Sequence, residues 1–301
     1  MQWLMLSYAD GSDEIRAAGN RILHQAKSAE VFSECKVLND LDLLELVSEP
    51  AEYFNFISSH PRGHGLWSWK SLVISKAVDG YYGDFDGIFY TDAGSELVFN
   101  AVSRKKVLKM MECAMNNGIF GFTTNSSEIQ YSKKLVLDML IDPNEAFTPQ
   151  REATTLLISA KSANARSIID SWKDLSFKDH FELLKDSECS DEDPAFIDHR
   201  HDQSVLSVLL KNSKIPGNKL NTPNHSQHSI PLLDKIVFTP WPIWQVRNRS
   251  GVSLVADWQK SPILSRLCVP FFLCRHLIYR LTRMKNRMLF WSIKIKGKWK
   301  N

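Results

Sequence analysis

Short hydrophobic runs alternate with longer amphipathic stretches along the first two thirds of the chain. Runs with the length and composition of buried strands are Trp3–Tyr8, Val31–Leu38, Gly87–Asp92 and Thr154–Ala160. Helical periodicity is found in Asp13–Ala29 with Ser12 as its N-cap, two short pieces of 40–58, Leu66–Val78, Ser103–Asn116, Ala163–Leu175 and Asp202–Lys211. This alternation predicts an α/β fold with a mainly parallel sheet, and the Asn-, Pro- and Ser-rich residues 212–230 predict a loop.

The composition is that of a folded globular protein. The chain has 301 residues, of which 44% are hydrophobic and 24% charged, which excludes a disordered chain, a collagen-like repeat and a small disulfide scaffold. Its five cysteines are odd in number and lack zinc-binding or redox spacing, so we expect a reduced, cytoplasmic compartment. The N-terminus lacks a signal-peptide pattern, and no stretch reaches the ~18 apolar residues of a membrane-spanning helix.

The charge divides the chain into an acidic body and a basic tail. Residues 1–260 carry a net charge of −7, while residues 261–301 carry ten Lys and Arg and no acidic residue, so we predict one main domain and a separate tail. An apolar helical face of the tail lies opposite Arg275, Arg280, Arg283 and Arg287. Such a helix predicts binding of 262–301 to an anionic membrane surface. Packing on the main domain is the alternative, and no recognition module supports nucleic-acid binding.

A first polar cluster follows the clearest strand, where Asp92 ends the run GIFYTD and small residues continue as AGSE. In open α/β sheets ligands bind beyond the carboxyl ends of strands, so Asp92 is placed to hold a divalent cation or a ribose hydroxyl. The alternative is that Asp92 caps a turn with Gly94 at positive φ. Asp84 and Asp86 precede the strand, so we expect them in a solvated turn at the opposite end of the sheet.

A second cluster is the segment GHGLWSWK at residues 63–70. Trp67 and Trp69 are able to stack a base or a sugar, and Lys70 to neutralise a phosphate. The alternative is that both tryptophans pack in the core and Lys70 is a surface charge.

A third cluster is the segment FIDHRHDQS at residues 196–204, which opens a predicted helix. Burial of so many polar residues without a partner is costly, and a helix N-terminus favours anions. An ordinary capped helix with Asp202 in its first turn is the alternative. His199 and His201 alone are weak evidence for zinc.

Taken in order, GHGLWSWKS, YTDAGSE and FIDHRHDQS resemble segments of a family of bacterial nucleotide-sugar glycosyltransferases with a GT-A-type fold, found among polysaccharide and O-antigen genes. That family has GxGxWxWKP, then a strand ending YxDAG, then FIxHRHDQS, and Ser71 stands where it often has Pro. The opening Ser7–Asp10 and residues 150–175 also fit. The resemblance therefore covers residues 1–250.

The resemblance implies a GT-A-like domain that moves a sugar from a nucleoside-diphosphate sugar to a glycan or lipid-linked acceptor in surface polysaccharide synthesis. It implies Asp202 and His201 as catalytic residues. Asp202 either deprotonates the acceptor hydroxyl or stabilises an oxocarbenium-like centre. The substrate-binding residues that it implies are Trp67, Trp69, Lys70, Asp92, Gly94, His199, Arg200 and Gln203.

Mg²⁺ or Mn²⁺ is the cofactor that the resemblance implies, because glycogenin-like relatives end this strand in Asp-x-Asp to serve metal and nucleotide. Asp92 matches the first acid, Gly94 stands at the second, and Glu96 is the next carboxylate for a hard-oxygen ligand set. The expected location is the cytoplasm, peripheral on the inner face of the membrane. The departure at Gly94 favours an alternative function, a non-catalytic nucleotide- or glycan-binding scaffold of the same fold.

Overall fold

The computed structural model describes residues 1–188, 190–219, 242–245 and 247–253, so the basic tail and most of the predicted loop lie outside the described residues. The strands in these ranges are β1 Trp3–Tyr8, β2 Glu34–Leu38, β3 Gly87–Thr91, β4 Glu96–Leu97, β5 Ile119–Ser127, β6 Pro149–Ser159, β7 Gly217–Lys219 and β8 Ile243–Trp244. The helices are α1 Asp13–Ala29, α2 Asp40–Leu46, α3 Pro50–Ser59, α4 Gly63–Leu66, α5 Ser68–Val78, α6 Ala101–Asn117, α7 Glu128–Tyr131, α8 Lys134–Leu137, α9 Ala163–Phe177 and α10 His201–Asn212, with a 3₁₀ turn at Pro143–Phe147. Within these ranges no helix has both the length and the hydrophobicity needed to cross a bilayer.

Six strands form one mixed sheet in the order β2-β1-β3-β6-β5-β7. β1 is parallel to β2 and β3, and β5 is parallel to β7, whereas β6 runs antiparallel to both of its neighbours. Five of these six strands therefore point the same way, which confirms the predicted mainly parallel α/β sheet. Because β6 is reversed, its beginning rather than its end borders the carboxyl end of β3.

Side chains that alternate along the strands bury hydrophobic residues on both faces of the sheet. Leu4, Leu6 and Tyr90 belong to the core on one face, which packs against α3, α5, α9 and α10. Met5 and Phe89 belong to the core on the other face, against α1 and α6. Two helical layers thus enclose the sheet, and the strand ends are left to carry polar chemistry.

The ends of α1 are set by local sequence, as predicted. The Ser12 side chain accepts a hydrogen bond from the Ile15 amide and so caps the helix. Asp13 and Glu14 lie in the first turn, where the helix dipole favours negative charge. This helix packs beside β2 and helps to order the edge of the sheet that holds the ends of β1 and β2.

Four of the elements that differ from the sequence prediction are β5, β6, β7 and α5. β5 is missing from it because only its first half is buried and hydrophobic, while its second half is polar. β6 begins at Pro149 rather than Thr154, and β7 lies in the segment predicted as a loop. α5 begins at Ser68 because Trp67 adopts a left-handed backbone conformation that a right-handed α-helix cannot contain, and α4 is a single turn with non-helical residues inside it.

Candidate functional site

Acidic side chains follow three neighbouring strands at the end of the sheet where these strands terminate. Asp10 comes after β1, Asp40 begins α2 after β2, and Asp92 comes directly after β3. Ligands of open α/β sheets bind at this carboxyl edge. Asp86 lies at the opposite end of the sheet, where its carboxylate accepts a hydrogen bond from the Gln2 amide ahead of β1.

Lys70, Asp92 and Asp202 converge at this edge and form what we call the Lys70 cluster. The Lys70 ammonium lies 3.2 Å from Asp92 Oδ1 and 3.1 Å from Asp202 Oδ2. Asp92 Oδ1 also accepts a hydrogen bond of 2.7 Å from the Tyr90 hydroxyl. The Lys70 and Asp202 side chains are buried, whereas the Asp92 side chain is 30% exposed. The cluster unites one residue from each polar segment of the sequence and opens to solvent at Asp92.

A residue with a left-handed backbone conformation precedes Lys70 and another precedes Asp202. Trp67, at φ 60°, immediately precedes α5, and His201, at φ 41°, immediately precedes Asp202. Such conformations in non-glycine residues cost about 1–3 kcal/mol each and cluster at ligand sites. Gly63 permits the first of these turns, because a Cβ there would stand 2.3 Å from the Trp67 ring.

Burial and mutual charge set the protonation of the Lys70 cluster. Burial is the largest influence on Asp202 and, with the negative charge of Asp92, raises its pKa to about 6 against the attraction of Lys70. Burial opposes the charge of Lys70, but the two carboxylates outweigh it and raise the Lys70 pKa above its ordinary value. At neutral pH the cluster therefore holds a lysinium ion beside an Asp202 that exchanges its proton just below neutrality.

One oxygen of this cluster has unused acceptor capacity. The buried Asp202 Oδ2 is paired with the Lys70 ammonium at 3.1 Å, and among the described residues no other donor reaches it. The Asp202 carbonyl accepts a hydrogen bond of 3.0 Å from the Trp172 indole, which fixes the start of α10. A carboxylate oxygen accepts more than one hydrogen bond, so a ligand hydroxyl is able to bind the same oxygen.

Arg200 and Gln203 flank Asp202, and Gln150 at the beginning of β6 holds both. Gln203 Nε2 donates to Gln150 Oε1 at 2.7 Å, and Arg200 Nη1 donates to the same oxygen at 3.4 Å. The Arg200 guanidinium lies over the Tyr131 ring, 3.7 Å from its centroid. The reversed strand β6 therefore orients two of the predicted substrate-binding residues.

Glu152 and Gln245 lie beside these residues, and the backbone of Arg247 packs on Gly94 close to Asp92. Glu152 is buried and accepts a hydrogen bond of 2.7 Å from Gln245 Nε2. Burial, with a contribution from the charge of Asp92, raises the pKa of Glu152. Nothing local in the sequence indicates Glu152, Gln245 or Arg247, since Glu152 lies in the polar first half of β6.

The two predicted tryptophans pack against neighbouring aromatic rings. Trp69 is buried, its indole donates to the Gly63 carbonyl at 3.1 Å, and its ring lies 4.2 Å from that of Tyr8, centroid to centroid. The Lys70 ammonium lies 5.8 Å from the Trp69 ring centroid. Trp67 stacks on His201 at 5.7 Å between centroids.

The two predicted histidines are buried and bonded to the backbone. His199 Nδ1 accepts from the Lys133 amide at 3.3 Å, and His199 Nε2 lies 2.9 Å from the Leu183 carbonyl. His201 Nδ1 lies 2.7 Å from the Leu184 carbonyl. Burial lowers the pKa of His199 to about 3, so its imidazole is neutral. These contacts hold the start of α10 in place and do not direct either imidazole to the Lys70 cluster.

Glu96 lies in a buried polar network rather than beside Asp92. Its carboxylate accepts hydrogen bonds from Gln25 Nε2 at 2.7 Å, Asn248 Nδ2 at 2.6 Å and the Ser253 hydroxyl at 2.7 Å. Arg21 lies 3.7 Å from the same carboxylate. Glu96 therefore ties β4 to the segment 247–253.

The described residues do not fit the metal site that the resemblance implies. The backbone of Arg247 packs on Gly94, so that a Cβ added there would lie 3.4 Å from Arg247 Cα. The Lys70 ammonium stands between Asp92 and Asp202, where a cation shared by these carboxylates would sit. In the described ranges no group of three or more His, Cys, Asp or Glu is arranged to hold a metal ion.

No family model and no curated protein matches the chain. Among solved structures, mouse xyloside xylosyltransferase 1 in its apo form is similar over 84% of this chain and 100% of its own, at 10% identity and a TM-score of 0.41. A glycosyltransferase involved in glycosylation of the major capsid of PBCV-1 is similar over 65% of this chain and 80% of its own, at 10% identity and a TM-score of 0.34. The 4-diphosphocytidyl-2C-methyl-D-erythritol synthase of Anaerococcus prevotii is similar over 71% of this chain and 96% of its own, at 12% identity and a TM-score of 0.33. At these TM-scores the similarities carry no functional argument.

Proposed function

We propose that the chain is a glycosyltransferase that moves a sugar from a nucleoside-diphosphate sugar to a glycan or lipid-linked acceptor of surface polysaccharide synthesis. The observation that carries this proposal is the Lys70 cluster. It sets two carboxylates, one with spare acceptor capacity on a buried oxygen, at the carboxyl ends of the strands, where nucleotides bind in open α/β folds. The order of the three polar segments in the sequence supports the sugar-nucleotide class.

Asp202 is our candidate catalytic residue. Transfer of a glycosyl group requires a base for the acceptor hydroxyl or a carboxylate that stabilises an oxocarbenium-like centre. With a pKa of about 6, Asp202 is mostly ionised at neutral pH and is able to do either. Lys70 keeps the carboxylates of Asp202 and Asp92 together, and the exposed part of Asp92 faces the side from which a ligand enters.

Arg200 and Gln203 are our candidates for holding the donor. Departure of a nucleoside diphosphate leaves negative charge, which a guanidinium stabilises through charge-assisted hydrogen bonds. Both residues are oriented by Gln150 on a rigid strand, and this limits the reorganisation needed when substrate binds.

The alternative is a non-catalytic protein of the same fold that binds a nucleotide or glycan. A thermal-shift screen of nucleoside diphosphates and nucleotide sugars, followed by assay of nucleoside diphosphate release with glycan acceptors, separates the two. Ligand at about 100 times its Kd adds about 2.7 kcal/mol of stability. Binding with acceptor-dependent release supports a transferase, and binding without release indicates the alternative. A folded protein that binds none of these nucleotides refutes the transferase and the nucleotide-binding form of the alternative.

We assign the transfer reaction to a domain over 1–260 and membrane-surface binding to the tail. Deletion of 262–301 is expected to abolish sedimentation with anionic liposomes and to leave nucleotide binding unchanged, because the ten basic residues of 261–301 supply the attraction. Neutral phosphatidylcholine liposomes are the control. Retention of the shortened protein on anionic liposomes would contradict the assignment.

A further inference from the structure

We propose that this site binds the diphosphate of its donor without a divalent cation, the positive charge coming from Arg200 and Arg247, while Lys70 neutralises the two carboxylates between which a metal ion would lie. The inference rests on the proposed function because it concerns the same site. Three observations carry it, and they are independent of one another.

The first observation is that Lys70 fills the space between the two carboxylates. Its ammonium lies within 3.2 Å of Asp92 Oδ1 and 3.1 Å of Asp202 Oδ2. Aromatic rings enclose it further, with the centroids of Trp69 and Tyr90 at 5.8 Å and 5.7 Å. A metal ion shared by these carboxylates would have to expel a buried, paired charge, which is strongly unfavourable.

The second observation is that neighbouring positions are closed to a second ligand. An acid at Gly94 would meet the backbone of Arg247 and Asn248, and the Gly94 carbonyl already accepts the Asn248 amide at 2.8 Å. Glu96 is fully buried within its own network. Within residues 92–96 a cation would therefore meet the Asp92 carboxylate alone, in place of the two acids that the Asp-x-Asp pattern supplies, and its other ligands would have to be water and substrate phosphates.

The third observation is that two arginines border the site. The backbone of Arg247 packs on Gly94, and Arg247 is exposed. Arg200 is held in place by Gln150 and by the Tyr131 ring. Guanidinium groups match phosphate oxygens by bidentate hydrogen bonds, so both arginines are of the residue type that binds a diphosphate.

The first test measures binding with and without metal. Uridine, guanosine and cytidine diphosphates are titrated in turn into the full-length protein, in EDTA and in Mn²⁺. The nucleotide that binds is expected to keep its Kd within about threefold in EDTA, where tenfold corresponds to 1.4 kcal/mol. A greater loss in EDTA refutes the inference and leaves the proposed function standing. Absence of binding under both conditions refutes the proposed function itself.

The second test separates Arg247 from its neighbour Arg249, which is also exposed. Arg247→Ala is expected to weaken nucleoside diphosphate binding about 10- to 100-fold, equally in EDTA and in Mn²⁺, since hydrogen bonds to charged groups contribute about 1.5–3 kcal/mol. Binding of the parent nucleoside, which lacks phosphate, is expected to stay unchanged. Arg249→Ala is the matched control and is expected to bind like the wild type. Unchanged diphosphate affinity in Arg247→Ala, or its rescue by Mn²⁺, overturns the assignment.

Discussion

Two buried clusters each pair a lysine with carboxylate side chains. One is the Lys70 cluster at the carboxyl ends of the strands. In the other, which we call the Glu128 cluster, Lys211 lies 3.1 Å from Glu128 and both side chains are fully buried. Glu128 Oε2 accepts from the Ser132 hydroxyl at 2.8 Å and from Gln150 Nε2 at 3.1 Å, and Oε1 accepts from the Ser207 hydroxyl. Both carboxylate oxygens therefore have protein donors.

The Lys70 cluster is built from the same residue types but is incompletely bonded. Asp202 Oδ2 has the Lys70 ammonium beside it but no further donor within the described chain, and Asp92 is partly exposed. Burial of ions is costly in both clusters, and this cost is offset only for those charged atoms that have hydrogen-bond partners. A fully satisfied cluster stabilises the fold, whereas an incompletely satisfied one keeps acceptor capacity for a ligand. Gln150 links the two, since it donates to Glu128 and accepts from Gln203.

The Asp202→Asn substitution distinguishes most clearly between the roles of the two clusters. Loss of the carboxylate is expected to lower turnover about 100- to 10,000-fold, as for removal of a general base. The melting temperature is expected to change little, because Asn has the same shape and Lys70 keeps its contact with Asp92. Acceptor-dependent release of nucleoside diphosphate measures the first quantity and calorimetry the second. Unchanged turnover would remove Asp202 from the mechanism.

Lys211→Met is expected to have the opposite profile. It leaves the Glu128 carboxylate buried without its cation, which lowers the free energy of unfolding by about 3–5 kcal/mol. Turnover of the folded protein is expected to be nearly unchanged. Urea unfolding measures the loss, and the double variant Glu128→Gln/Lys211→Met is expected to recover part of it. A loss of turnover with intact stability would show that the Glu128 cluster is not structural.

Gln150→Leu tests the link between the clusters. It removes the acceptor that orients Gln203 and Arg200, and a donor to Glu128, at an expected cost of about 1–3 kcal/mol. We expect the KM for the donor to rise more than kcat falls. Lys211→Met is the control, since it disturbs Glu128 without touching either substrate-binding residue. Equal KM values in the two variants would contradict a positioning role for Gln150.

The pKa of about 6 for Asp202 predicts the smallest effect, a loss of activity in mild acid. Because the ionised carboxylate is the active form, kcat/KM is expected to fall about tenfold for each pH unit below 6. The stability contribution has the opposite sign. The folded-state pKa is raised, so this contribution is fully present below the ordinary carboxyl pKa and is lost as the pH rises through about 6. In Asp202→Asn, kcat/KM and stability are both expected to lose this dependence on pH. If either dependence persists, it belongs to another ionisable group.

The sequence predicts the centre of the site better than its surroundings. β1, α1 and β3 are predicted almost to the residue, because each has one hydrophobic period and a clear end. Lys70, Asp92 and Asp202 are indicated because each lies in a polar segment beside such an element. Gln150 and Glu152 carry no comparable local signal, since their position depends on the antiparallel pairing of β6 with β3 and β5.

The network around Glu96 has a consequence for the order of folding. The Arg21 guanidinium donates to the carbonyls of Asn248 and Ser250, more than 220 residues away along the chain, and to those of Ala93 and Ser95. Contacts between such distant residues are slow to form, because the entropy of closing the intervening loop is lost before any contact compensates. We therefore expect the segment 247–253 to dock after the sheet has formed. If Arg247 binds the donor as proposed, the ability to bind it is expected to arise only at that step.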